Sequence, residues 1–223
     1  MTSAHPSALR SSAVGWYGKL PERGDFTGQG LSVDWVRTWD EWLQRALAPA
    51  AQLIGPALLR ERLLAMAPWQ CLLQRPPQGD FDTACALVVA SQDRVGRVFP
   101  LIVVEALEPG DVERLTPARL HRRARGLAQW LLPACADGVA TVESGLQRWL
   151  ATPWAGAADV APSGPWWPPA GQASAEGEAL FSAATKGRSR WWRRLEPDEG
   201  FQPLEQPWPP RESLLMEWLA VPD

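Results

Sequence analysis

Apolar and polar positions change their period along this chain, and each change marks a new structural element. The segment LSVDWVRTWDEWLQRALAP places Trp35, Val36, Trp39, Trp42, Leu43, Ala46 and Leu47 at helical spacing. Trp35, Trp39, Trp42 and Ala46 share one stripe, the face a helix turns towards a core. Ser32 supplies an N-cap, Asp34 complements the positive helix end, and Pro49 is expected to close the element. A second helix is expected from Pro56, a residue suited to the first helical position, and carries LLRERLLAM. The period then shortens: WQCLLQ (Trp69–Gln74), ACALVVAS (Ala84–Ser91) and RVFPLIVVEAL (Arg97–Leu107) are apolar, strand-length runs. QDRVG between the last two has the length of a hairpin loop. Continuous apolarity predicts a central sheet covered on both faces.

Helical spacing returns in LTPARLHRRARGLAQWLLPACAD, with Thr116 as cap and Pro117 at the first position, and again over Val142–Leu150. At the start of the chain, residues 1–13 read as a disordered lead and Val14–Lys19 as a first strand. Leu20–Gly30 reads as a loop. Thr152 to Glu178 is rich in Pro, Gly, Ala and Ser, so it reads as a loop or linker. EALFSAAT and RSRWWRRLE, around the turn KGRS, form a second expected hairpin. A strand near Phe201–Glu205 and a helix over Pro210–Leu219 follow. There is no internal repeat. The sum is an α+β chain: one domain over residues 14–223, a mostly antiparallel sheet flanked by helices.

Composition agrees with a folded chain: of 223 residues, 46% are hydrophobic and 21% charged, enough to bury a sizeable core. A net charge of −3 argues against the whole molecule acting as a polyanion binder. The 3 cysteines, Cys71, Cys85 and Cys135, are far apart in apolar surroundings. They match neither a disulfide framework nor a metal pair, and point to a reducing compartment. The N-terminus has no signal-peptide core, and no run reaches the roughly 18 apolar residues of a membrane span. The expected location is cytoplasmic, with no membrane insertion. That weakens an adhesive reading of Arg23-Gly24-Asp25, which after Pro21 is more simply a turn.

The inventory of reactive groups is thin. The 2 histidines are His5, in the lead, and His121, beside Arg122 and Arg123. No GxSxG or GxxxxGK[ST] pattern occurs, and Gly15, Gly18 and Gly24 do not match dinucleotide-binding spacing. Asp25, Asp40, Glu41 and Asp93 could form an acid–base or Mg²⁺ pair, which would make a carboxylate-dependent hydrolase. Their competing roles are caps, turns and salt bridges, with Asp40 expected to pair with Lys19 or Arg23. RLHRRAR reads as an exposed helix face. KGRSRWWRRLE interleaves Arg190 with Trp191 and Trp192, which fits packing plus solvated charge, a protein-docking surface, or a single-strand nucleic-acid module. Strand alternation would bury one of these two tryptophans and expose the other.

Taken together, GWYGKLPERGDF, WDEWLQRAL, SQDRVGRVFPLIV and the late RWW resemble the TagF/ImpM family, accessory proteins of bacterial type VI secretion. The pattern runs in order from Gly15 to about Leu219. The resemblance implies a cytoplasmic, post-translational repressor of secretion-system assembly that binds the forkhead-associated (FHA) scaffold protein. It implies no catalysis and no cofactor, and neither nucleic acid nor metal is expected as a partner. The motif positions it carries over are Gly18, Lys19, Leu20, Pro21, Arg23, Gly24, Asp25, Phe26, Trp39, Asp40, Trp42, Leu43, Asp93, Arg94, Gly96, Arg97, Phe99 and Pro100. Arg190 and Trp191 join them as candidate partner contacts. The glycines and Pro21 are expected to shape a rigid loop pinned by Tyr17 and Phe26. Lys19, Arg23 and Asp25 are expected either to pair with Asp93, Arg94 and Arg97 or to face a partner.

Overall fold

A computed structural model describes residues 11–74, 83–107, 117–136, 142–150, 188–193 and 204–220. The strands are β1 (Ser11–Lys19), β2 (Phe26–Gln29), β3 (Trp69–Gln74), β4 (Thr83–Gln92), β5 (Val98–Leu107), β6 (Arg188–Arg193) and β7 (Leu204–Pro207). The helices are α1 (Val33–Ile54), α2 (Pro56–Leu64), α3 (Pro117–Ala136), α4 (Val142–Leu150) and α5 (Leu214–Leu219). The strands form one sheet in the order β2-β1-β5-β4-β3-β6-β7, and every pairing is antiparallel. The α+β arrangement read from the sequence is therefore the one observed.

Successive side chains of a strand point to opposite faces, and both faces are covered here, which explains why β3, β4 and β5 are apolar over most of their length. On one face, Trp69, Cys71, Leu73, Ala84, Ala86, Val88, Ile102 and Val104 meet the tryptophan stripe of α1 together with α2 and α5. On the other, Trp16, Leu87, Val89, Leu101 and Val103 meet α3 and α4 through Leu127, Leu131, Cys135, Val142 and Leu146. The sheet thus carries two cores. All three cysteines are buried as free thiols, Cys71 in the first core and Cys135 in the second, and burial pushes the Cys135 thiol up to about 11.

Several boundaries differ from the sequence reading, each for a physical reason. β1 begins at Ser11, because Ser11 and Ala13 still find partners in Leu107 and Ala106 of β5 across a bulge. Phe26–Gln29, expected within a loop, pairs with β1 from Lys19↔Phe26 to Trp16↔Gln29. Only four residues long and holding a glycine, it carries almost no local strand signal. Pro49 does not end α1. The helix continues to Ile54, with Ala50 buried in the core, and tertiary packing outweighs the missing N–H. Gly55, at φ 82°, makes the break instead. Ser32 caps α1 as expected, accepting from the Trp35 N–H at 3.3 Å. The C-terminal elements are β7 (Leu204–Pro207) and a short α5, later by a few residues than their expected starts. Residues 1–10, Thr116, the Thr152–Glu178 segment and EALFSAAT lie outside the described residues, as do the side chains of His121 and Trp192.

Candidate functional site

The loop Leu20–Asp25 and the β4–β5 turn Asp93–Arg97 meet at one corner of the sheet. Two glycines make the meeting geometrically feasible. Gly18, at φ 153°, lets β1 pass so close to β5 that a Cβ there would lie 2.8 Å from the Leu101 Cα. Gly96, at φ 82°, closes the turn, with the Gly96 N–H donating to the Asp93 carbonyl at 2.9 Å.

Asp93 organises the corner. Its side chain is fully buried, yet every lone-pair direction is engaged. The Lys19 ammonium donates at 3.0 Å and the Arg97 Nε at 2.6 Å to Oδ2. The backbone N–H groups of Val95 and Arg97 donate to Oδ1 at 3.0 and 2.8 Å. Burial by itself pushes this carboxyl up. The Arg97 N–H, then Lys19, the Arg97 guanidinium and the Val95 N–H outweigh it and hold the group well below the usual carboxylate range. Arg97 also donates to the Gly24 carbonyl, and the Arg94 N–H to the Arg23 carbonyl at 2.8 Å. Loop and hairpin are therefore sewn together by both side chains and main chain.

The aromatic pins are present too. Phe26 stacks on Tyr17 at 5.7 Å, meets Phe99 edge-on at 4.6 Å, and carries the Lys19 ammonium 5.0 Å from its ring centre. Tyr17 in turn donates to Asp40 Oδ1 at 3.3 Å. Burial foremost, then the Asp40 charge and this hydrogen bond, then Asp25, push the phenol up to about 12. An unfolded tyrosine titrates near pH 10, so the fold holds this proton more tightly than the unfolded chain does. The resulting stabilisation is complete below about pH 10 and disappears as pH rises towards 12. The chain has 1 tyrosine, so its phenolate absorbance reads this titration without overlap. A midpoint near 10 in the folded protein would mean that the Tyr17–Asp40 contact does not form.

Other expected pairings are rearranged. Arg23 reaches not Asp93 but Glu143 of α4, at 2.6 Å. Glu22 Oε1 accepts the Glu143 N–H at 2.9 Å, so the loop grips the first turn of that helix. Asp40 accepts from Tyr17 and Gln44, while Lys19 pairs with Asp93 and Arg23 with Glu143. Asp25 accepts the Phe26 N–H at 2.8 Å. No hydrogen bond joins any two of Asp25, Asp40 and Asp93, so each carboxylate serves a separate purpose. Glu22 and Glu143 were missed by the sequence reading. An acidic first turn at Glu143 was visible there, but its distance of more than a hundred residues from the loop was not bridged by any local signal.

The tryptophan candidates take core positions. Trp39, Trp42 and Trp191 are each 0% exposed, and Trp191 Nε1 donates to Ser189 Oγ at 2.8 Å. They offer no surface to a partner and no stacking platform to a base. Arg190 is buried and pairs with Glu205 at 3.0 Å, so it too departs from the candidate contacts. Pro21 is buried. What faces outward is Arg23, Asp25, Phe26, Arg94 and Arg97, with Val95 at the hairpin tip 68% exposed. Among the described residues, no group of three or more His, Cys, Asp or Glu is placed to hold a metal ion. No described helix is long and apolar enough to cross a membrane.

Fold and corner together define the class: an α+β domain with helices on both faces of an antiparallel sheet and a locked loop-and-hairpin at one end. The chain belongs to the family of the TagF N-terminal domain, type VI secretion system-associated, whose sequence model matches residues 15–150. The corner, from Gly18 to Arg97, lies wholly inside that match. No curated protein sequence matches the chain. A similar solved structure is that of PA0076 from Pseudomonas aeruginosa PAO1, 24% identical, with a TM-score of 0.63 over 95% of this chain and 98% of that one. This likeness is one of fold, and it extends beyond residue 150 to the strands and helix of the C-terminal part.

Proposed function

We propose that the protein represses type VI secretion-system assembly after translation, by binding the FHA-domain scaffold protein in the cytoplasm. Family membership supports the secretion-system setting. The observation that carries the binding reading is the locked corner: Asp93 fixes the hairpin from inside, while Arg94 and Val95 stand exposed on its tip. A rigid loop presents a contact surface without an ordering cost on binding. The reading assigns no reaction to the chain. Supporting this, the ionised Asp93 is saturated with donors, and Asp25 and Asp40 are engaged apart from it.

The test is a titration of the purified scaffold against wild-type protein and a variant carrying Arg94→Glu and Val95→Asp. Neither side chain supports the fold, so thermal stability should stay within a degree or so. Affinity should fall at least ~10-fold, the loss of about 1.4 kcal/mol. In the host, overproduction should silence secretion with transcript levels unchanged. Absence of a complex at micromolar concentration removes the scaffold as partner. An undiminished complex with the variant moves the contact away from the hairpin.

A further inference from the structure

Helix α4 is nine residues long, too short to stand in water without outside support. Val142 and Leu146 are buried in the second core. At its last turn the Arg123 guanidinium, itself paired with the buried Glu105, donates to the Trp149 carbonyl at 3.2 Å and lies 4.5 Å from the Trp149 ring centre. At its first turn the N–H groups lack intrahelical acceptors, and that of Glu143 is taken by Glu22 Oε1 at 2.9 Å. The cap therefore comes from a loop 121 residues away in sequence. Arg23 adds two bonds to Glu143 Oε2, from Nε at 3.2 Å and from a terminal nitrogen at 2.6 Å.

The same loop steadies the hairpin. The Arg23 carbonyl accepts the Arg94 N–H at 2.8 Å, and the Gly24 carbonyl accepts from Arg97. One short stretch thus holds the helix through its side chains and the hairpin through its main chain. We propose that α4 and the Glu22–Asp25 loop open and close as one unit pivoting on Glu22, which makes α4 a conformational handle on the hairpin tip. The regulatory sense of this handle rests on the reading of that tip as the scaffold contact.

Two features keep the open form within reach. Glu22 Oε2 is buried with no donor among the described residues. Only the closed form carries that cost, because water satisfies the oxygen once the loop lifts. The Arg23 side chain is 54% exposed, so solvent replaces its ion pair at little loss. The seat beneath the loop also reports opening. Burial foremost, then the Glu22 charge, pushes the Cys135 thiol of α3 up, which places that thiol close to the carboxylate, and Val142 and Leu146 of α4 share its core. Lifting the unit bares Cys135 and leaves Cys71, in the other core, covered.

The experiment is amide hydrogen exchange and iodoacetamide labelling of the full chain, both read residue by residue. In the protein alone, the Arg94 N–H and the α4 amides should exchange through a common opening, at least ~10-fold faster than the β4 and β5 amides. Glu22→Ala removes the cap and should speed both sets by one shared factor, ~5-fold or more, with Cys135 labelling rising alongside and Cys71 labelling unchanged. Glu22→Gln keeps an acceptor for the Glu143 N–H and supplies a donor in place of Oε2, so it should restore wild-type rates or slower ones. Leu146→Ala, acting from the helix, should speed the Arg94 N–H by the same factor as the α4 amides. Unequal factors for loop and helix, or Cys71 labelling that rises with that of Cys135, overturn the shared unit. Saturating purified scaffold should slow the α4 amides together with the Arg94 N–H. A complex that leaves α4 exchange unchanged overturns the handle while the proposed function stands. Absence of any complex overturns the proposed function and the regulatory sense with it, whereas a shared exchange factor upholds the unit by itself.

Discussion

Asp93→Ala is expected to destabilise the protein by about 3–5 kcal/mol, the cost of leaving a buried cation without its counterion. Lys19 is 6% exposed, and its ammonium pairs with the Asp93 carboxylate at 3.0 Å. The Val95 and Arg97 N–H groups lose their acceptor at the same time, so the turn loosens as well. Urea denaturation should show a lower midpoint with an unchanged slope. Arg97→Ala should cost far less, since its side chain is 59% exposed and water replaces the lost contacts. Replacing both members, Lys19→Met with Asp93→Leu, should recover much of the loss, because the penalty arises from an unmatched charge. If Asp93→Ala and Lys19→Met losses simply add, the two groups are not coupled and the corner is not locked as described. Acid should act in the same direction. Because Asp93 is held below its unfolded value of about 3.9, its stabilisation is full above that pH and declines as pH falls through and below it.

The regular elements were legible because their signals are local. The tryptophan stripe fixed the orientation of α1, and near-continuous apolarity in β4 and β5 revealed a sheet with both faces covered. The Lys19–Asp93 pair was also within reach, since charged residues in two glycine-bearing turns have few other places to go. Arg23 shows where this reasoning ends. Whether it meets Asp93 or Glu143 depends on where α4 packs, and no periodicity encodes that. Pro49 and β2 show the complementary limit: local propensity opposed the observed element, and long-range packing prevailed. The Trp191 and Arg190 positions were ambiguous for a third reason. Interleaved arginine and tryptophan look alike on a binding surface and on a buried strand until an acidic partner such as Glu205 is located.

Trp39→Ala is the other substitution expected to cost about 3–5 kcal/mol, here through packing. Its ring touches five others: Trp35 at 5.9 Å, Trp42 at 4.9 Å, Trp191 at 6.2 Å, Trp208 at 6.1 Å and Trp218 at 6.2 Å between centroids. These partners come from α1, β6, the segment after β7, and α5, so a single indole ties the C-terminal elements to the first helix. Large flat neighbours held at both ends cannot collapse into the space left by a methyl group, which places the loss towards the upper end of the range. One effect opposes it. The Trp39 indole N–H is buried without an acceptor among the described residues, and removing such a group relieves about 1–3 kcal/mol. Trp39→Phe separates the two contributions, since it keeps most of the ring contact and discards the orphaned donor. It should therefore cost less than half as much as Trp39→Ala. Equal losses for the two variants would mean that the indole N–H has a partner and that stacking contributes little. A loss under about 1 kcal/mol for Trp39→Ala would mean that the tryptophan cluster does not join α1 to the C-terminal strands and α5.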